Sequence, residues 1–160
     1  SGMPMRSLIE HLGIDRLHIT GFSPLVNDRA HTDYFASHGG LFSNRPFPSD
    51  PSHFELPTDL TNHSALFASL DLDAIDASAA PGVSALNPDG LTPREACAWV
   101  HRVAALPGLR CFDLMELCPK HDADGRTARL TAYLFLQFLA AWSAGHRTAS
   151  QGSTTPGSPA

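Results

Sequence analysis

Asp71, Asp73 and Glu116 are the residues whose type and spacing could do chemistry in this sequence. The first two lie in Ser69-Leu70-Asp71-Leu72-Asp73-Ala74-Ile75-Asp76, behind the apolar run Ala65-Leu66-Phe67-Ala68, which predicts a short buried strand of a parallel sheet. Alternate side chains of a strand share a face, so the pattern predicts Asp71 and Asp73 side by side, with Leu70 and Leu72 in the packing. Like charges held that close repel, and an unpaired buried carboxylate is costly, so the natural partner of the pair is a divalent cation. Ala79-Ala80-Pro81-Gly82 then stops the strand and leaves the acids near its carboxyl end, where open α/β sheets collect their ligands.

Several elements must position these acids. Leu109 to Leu117 reads as a strand stopped by Cys118-Pro119, with Asp113 and Glu116 at its exit. Three residues apart, those two face opposite sides of an ideal strand, so only one need enter the same crevice. Between the strands, Thr92, Pro93 and Glu95 form a capping box with proline at the first helical position. Ala96, Trp99, Val100 and Val103 make that helix's buried stripe, and Leu106-Pro107-Gly108 ends it. Asp122-Ala123-Asp124-Gly125 lacks the further oxygen ligands and closing Glu of an EF-hand; it reads as the start of a last helix, Thr127 to about Ala144. That helix is apolar almost all round, which predicts packing on the sheet, and Gly145 is its expected stop.

Upstream, Ser1 to Arg6 reads as a loop before a helix carrying Leu8, Ile9 and Leu12 and stopped by Gly13. Leu17 to Phe22 reads as an alternating strand, and Asn27 or Asp28 caps a helix reaching Ser37, ended by Gly39-Gly40. His31 and Asp33 do not share a helix face and His38 sits where a histidine simply complements the helix dipole, so this trio does not read as a ligand set. His18 reads as solvent-facing or bonded to a backbone carbonyl. Leu41 to Leu60, with Pro46, Pro48, Pro51 and Pro57, reads as a long surface connection; His53 and His63 belong to that solvated stretch. His146 to Ala160 predicts a disordered tail, leaving 1–145 as one domain. Strands alternating with helices indicate the α/β class with a parallel sheet.

Composition narrows the function. A formal net charge of −5 without a Lys/Arg run argues against a nucleic-acid or anionic-membrane partner. The longest apolar segment, Leu130 to Trp142, is too short to span a bilayer, and no signal-peptide pattern is present. Cys97, Cys111 and Cys118 have no paired spacing and predict reduced, mostly buried thiols, which suits a cytoplasmic protein.

Taken together, Ser69 to Asp76, Ala80-Pro81-Gly82 and Gly90-Leu91-Thr92 resemble the third metal signature of the ureohydrolases: arginase, agmatinase and formimidoylglutamase. Asp113-Leu114-Met115-Glu116-Leu117-Cys118-Pro119, then Asp122 and Thr127-Ala128, is similar to the segment that follows in those enzymes, and Ser1 to Arg6 looks like the loop after their second metal motif. The resemblance covers nearly the whole chain up to the tail. It implies a partial arginase-like fold, a three-layer αβα arrangement with a mostly parallel sheet. It also implies a binuclear manganese hydrolase acting on the C–N bond of a small amidine or guanidino substrate.

On that resemblance the position of Asp71 bridges both metals and that of Asp73 binds one. Carboxylate oxygens suit Mn²⁺, and coordination lowers the pKa of bound water enough for attack on the substrate carbon. Glu116, at the catalytic position, holds the cationic substrate group by charge-assisted hydrogen bonds, and Asp113 orients its loop. The family's upstream His motif and Asp-x-His-x-Asp motif do not occur here. The ligand set is therefore incomplete, since Mn²⁺ takes about six donors. This implies a carboxyl-terminal half, inactive until the missing amino-terminal half is supplied, and leaves a homo-oligomer open. Such a half should expose apolar surface and strand edges that its partner segment covers.

Ala77 stands where many members have Pro, and Cys118 where many have Asn. Val83-Ser84 after Pro81-Gly82 leans toward formimidoylglutamase, an enzyme of histidine metabolism. Two competing readings remain: a non-catalytic pseudoenzyme or binding protein that retains the fold, and an unrelated α/β domain with an accidental acid pair.

Overall fold

Met3–Leu12 forms the first helix, α1, and Gly13, with φ of +63°, turns the chain out of it while Ile14 N–H reaches back to Leu8 O. The computed structural model describes residues 3–14, 16–22, 28–44, 56 and 65–151. They fall into two compact units, Ser1–Phe47 and Pro48–Ala160. In the first, α1 starts at Met3, earlier than the loop expected over Ser1 to Arg6; a proline in the first turn sacrifices no helical hydrogen bond, because those amides lack partners anyway.

Strand β1 (Leu17–Phe22) and helix α2 (Arg29–Ser37) fall where the sequence puts them. Asp28 caps α2 by accepting from the Ala30 amide at 2.9 Å. Gly39, with φ of +77°, then reverses the chain into β2 (Gly40–Asn44), which pairs with β1 in parallel. This strand corrects the expectation of a connection from Leu41 onward. Five residues with two apolar side chains carry too little alternation to read, and the pairing with β1 supplies what the pattern lacks. The rest of that stretch apart from Leu56, with His53 and His63, lies outside the described residues. His38 stacks on Tyr34 at 4.2 Å between ring centroids and its Nδ1 meets the Tyr34 carbonyl at 2.8 Å, the helix-end role expected of it.

The second unit contains β3 (Leu66–Asp71), α3 (Pro93–Ala104), β4 (Leu109–Met115) and α4 (Arg126–Gln151). Strands β3 and β4 pair in parallel, with Ser69 opposite Asp113, Leu70 opposite Leu114 and Asp71 opposite Met115. The capping box of α3 is present in full: Thr92 Oγ1 accepts from the Glu95 amide at 3.2 Å while Glu95 Oε2 accepts from the Thr92 amide at 2.7 Å. Leu70, Leu72, Ile75, Ala80, Val83, Ala96, Val100 and Leu134 form one buried cluster, which both helices build over one face of the strands. Phe112 of β4 and Phe138 of α4 stack beside it at 4.2 Å. Parallel strands with helices packed on them are the α/β arrangement expected.

Three local expectations change. The opposite face of the strand pair is open, with Phe67 50% and Met115 48% exposed, and Cys111 on that face is exposed where a buried thiol was expected. Helix α4 is covered on one side only, with Leu134 buried and Leu136 62% exposed, because a two-stranded sheet and one neighbouring helix cannot enclose an all-round apolar helix. It also runs through Gly145 to Gln151, since one helical glycine costs only about 1 kcal/mol. Residues 152–160, expected as tail, lie outside the described residues. No helix among the described residues is long and apolar enough to cross a membrane.

Candidate functional site

Strand β3 ends at Asp71, and Leu72–Ala74 is a turn of 3-10 helix rather than more strand. The alternation argument for Asp71 and Asp73 therefore fails beyond Asp71, and a turn brings the two together instead: Asp71 Oδ1 accepts from the Asp73 amide at 2.8 Å. The cause lies on the turn's inner side. Leu72 and Ile75 are both fully buried, and anchoring residues three apart favours a helical turn over an extended chain. The turn is pinned further by Leu91, whose amide donates to Ala74 O at 2.7 Å and whose carbonyl accepts from Asp76 N–H at 2.9 Å. Gly90 permits this approach, since a Cβ there would lie 2.3 Å from the Asp76 nitrogen. Asp76 itself accepts from the Ser78 amide at 2.9 Å, so it shapes the following turn.

Glu116 leaves β4 in the left-handed region, with φ of +68°, a conformation that costs a non-glycine residue energy and marks functional turns. Its carboxylate is reached by the loop after Pro81. Ser84 Oγ donates to Glu116 Oε2 at 3.2 Å. Two hydrogen bonds fasten that loop to the segment following Glu116: Cys118 N–H to Gly82 O at 2.8 Å, and His121 Nδ1–H to Val83 O at 2.9 Å. A third anchors it to α4, where the buried Thr127 hydroxyl oxygen accepts from Gly82 N–H at 2.7 Å. Asp122 starts α4 by accepting from Thr127 and Ala128 amides at 3.0 and 2.8 Å. Those amides outweigh its burial and hold its carboxyl below the usual range.

The site acids behave in the opposite way. Loss of water pushes the Asp71 carboxyl up; the Asp73 amide opposes this and the charges of Asp73 and Glu116 add to it. Asp73 is also pushed up, first by desolvation and then by the charge of Glu116, against the pull of the Ala85 amide and the Ser84 hydroxyl. Asp73 Oδ1 is buried without a hydrogen-bond partner, as is Asp113 Oδ1 on the neighbouring strand. Asp71, Asp73 and Glu116 thus stand within one another's electrostatic reach at the carboxyl ends of the two parallel strands. Among the described residues, no three His, Cys, Asp or Glu side chains gather into a group that could hold a metal ion by themselves. His121 is absent from the sequence reading, and Ser84 enters it only within the Pro81-Gly82-Val83-Ser84 run, not as a site residue. A serine two residues past Pro-Gly carries no spacing signal, and its meaning comes only from the loop clamp.

Parallel strands with acids at their carboxyl ends define an α/β protein with a polar site at the sheet's edge. The chain belongs to the arginase family, whose family model matches residues 1–141. It is 32% identical over 148 residues to formimidoylglutamase of Halobacterium salinarum, covering 88% of this chain and 46% of that one. It is 34% identical over 95 residues to the Lysinibacillus sphaericus formimidoylglutamase, covering 59% and 28%.

Among solved structures, formimidoylglutamase of Bacillus subtilis superposes with a TM-score of 0.73 at 23% identity, covering 89% of this chain and 47% of that one. Formiminoglutamase of Trypanosoma cruzi, crystallised with Mn²⁺, gives 0.74 at 24% identity, covering 89% and 49%. Proclavaminate amidino hydrolase of Streptomyces clavuligerus gives 0.68 at 26% identity, covering 89% and 48%. The arginase-like fold expected from the resemblance is thus the fold of this chain, which spans about half the length of its relatives or less.

Proposed function

We propose that this chain carries Asp71, Asp73 and Glu116 of a manganese-dependent hydrolase that cleaves the C–N bond of an amidine or guanidino substrate, with formimidoylglutamate preferred. Both units then belong to one arginase-like domain, completed by an upstream segment that adds the remaining ligands. The observation that carries the reading is Asp73 Oδ1, buried and unpartnered beside two further carboxylates. A protein interior tolerates such an atom poorly, and a cation satisfies it.

The donor chemistry fits: Asp71 and Asp73 offer hard oxygens of the kind Mn²⁺ takes, and they would hold it. When bound, the metal pair makes water acidic enough to attack near neutral pH and stabilises developing negative charge. Glu116, held in its left-handed turn, receives the N–H groups of the substrate's cation through charge-assisted hydrogen bonds and orients its central carbon. Asp113, behind it on β4, supports that turn.

The test supplies Mn²⁺ and the upstream half as a second polypeptide and measures release of formamide, ammonia or urea. Activity above that of either half alone, lost in Asp71→Asn, is the expected result. No gain on mixing rejects the proposal.

A further inference from the structure

Glu116 is exposed, and an exposed glutamate ordinarily samples several rotamers, which weakens any pairing that needs one orientation. Its backbone places Cβ but leaves the carboxylate to be fixed by something else. Among the described residues, the Ser84 hydroxyl is what donates to that carboxylate, at 3.2 Å and to Oε2, which leaves Oε1 available for an incoming N–H. Ser84 is in turn held by its own loop. The residue before it is pinned through Val83 O to His121, and the one before that through Gly82 O to the Cys118 amide and through its N–H to buried Thr127. These bonds tie the serine's loop to the segment that Glu116 begins, so the spacing between hydroxyl and carboxylate is set by the framework.

We infer that Ser84 is a positioning residue, whose hydroxyl fixes the carboxylate of Glu116 in the orientation that receives a cationic N–H group of the substrate. The inference rests on the hydrolase reading above. It adds a residue that neither the acid pattern nor the resemblance assigns to the site. A serine hydroxyl has one proton, and here it is given to Glu116 Oε2.

The test compares Ser84→Ala and Ser84→Thr with the unaltered 160-residue chain. In the chain alone, ¹³C relaxation of the Glu116 side chain is expected to show loss of order in Ser84→Ala and retention in Ser84→Thr. The backbone amide spectrum of Leu72, Ile75 and Val100 should stay unchanged in both. With Mn²⁺ and the upstream half, Ser84→Ala should raise KM about tenfold with kcat within about twofold, and Ser84→Thr should stay near the parent. Unchanged Glu116 order in Ser84→Ala overturns the inference, as does equal loss in both variants. If Asp71→Asn retains Mn²⁺ in the paired halves as well as the parent does, the hydrolase reading fails instead, and the relaxation arm still decides whether Ser84 holds Glu116.

Discussion

Replacing Thr127 by valine tests whether the loop that carries Ser84 is held from the helix side. The side chain is fully buried, and its Oγ1 accepts the Gly82 amide proton at 2.7 Å. Valine keeps the β-branch, so helix propensity changes little, and what disappears is the hydroxyl, which accepts from the Gly82 amide and also helps hold the Asp122 carboxylate. Gly82 is itself buried, and a Cβ built on it would lie 2.4 Å from Asp122 Cβ and 2.9 Å from Thr127 Oγ1, so no water fits between them to take the proton. A buried amide left without an acceptor costs about 1–3 kcal/mol, and the tight surroundings put this one near 2. For a unit of this size that corresponds to a fall in Tm on the order of 8 °C.

Urea unfolding followed by far-ultraviolet circular dichroism measures the loss, and hydrogen exchange at the Gly82 amide locates it. Thr127→Ser keeps the oxygen and gives up a methyl, about 1 kcal/mol, and should leave Gly82 protected. Valine within about 0.5 kcal/mol of the parent, or an equally protected Gly82 amide in the valine variant, would refute the reasoning.

Two further changes probe the site and its scaffold. Asp71 and Asp73 have folded-state pKa values raised above the ordinary value of about 3.9, so their contribution to stability is fully present below that pH and is lost as pH rises through the folded values. In chelator, Asp71→Asn should therefore melt higher than the parent at pH 7, with the gap closing as pH falls toward 4; a less stable variant at pH 7 contradicts the account. Gly90→Ala forces a Cβ within 2.3 Å of both the Ile75 carbonyl carbon and the Asp76 nitrogen, neither of which is a movable side chain. It should cost at least about 3 kcal/mol, read as lost soluble yield or a collapsed urea midpoint, and a midpoint like the parent's would show that the bridge from Leu91 to Ala74 is not needed.

Where a feature depends on residues near in sequence, the sequence shows it. The Thr92–Glu95 box, the Asp28 cap and strands β1, β3 and β4 are of that kind, each readable from a cap residue or a short apolar run. The site acids were legible as residues, while their geometry was not. Whether Asp73 continues a strand or enters a turn is decided by burial of both Leu72 and Ile75 and by the Leu91 bridge, which is made across an intervening loop. The left-handed turn at Glu116 was hidden for a related reason, because the residue is neither glycine nor asparagine and its conformation is imposed by the segment around it. Strand β2 shows the same limit in the first unit, since a five-residue strand beginning with glycine exists through its pairing with β1.

The motif residues divide by the sign of their contribution to stability. Gly82, Gly90, Asp122 and Thr127 make close approaches or buried hydrogen bonds that favour the fold, and an altered side chain there should be felt first as lost stability. Asp71 and Asp73 do the reverse, because desolvation and like charge act against them in the metal-free chain. A fold retained for its own sake would gain by neutralising the second group while keeping the first. The presence of both together is what a cation site predicts, since a bound ion turns mutual repulsion among the acids into shared attraction. A non-catalytic descendant, freed from that need, is expected to lose the acids before it loses Gly82 or Thr127. Neutralising Asp71 and measuring Mn²⁺ affinity in the chain paired with its upstream half therefore separates the two histories: lost affinity belongs to a metal centre and unchanged affinity to a relic, while a gain in metal-free stability is expected of both.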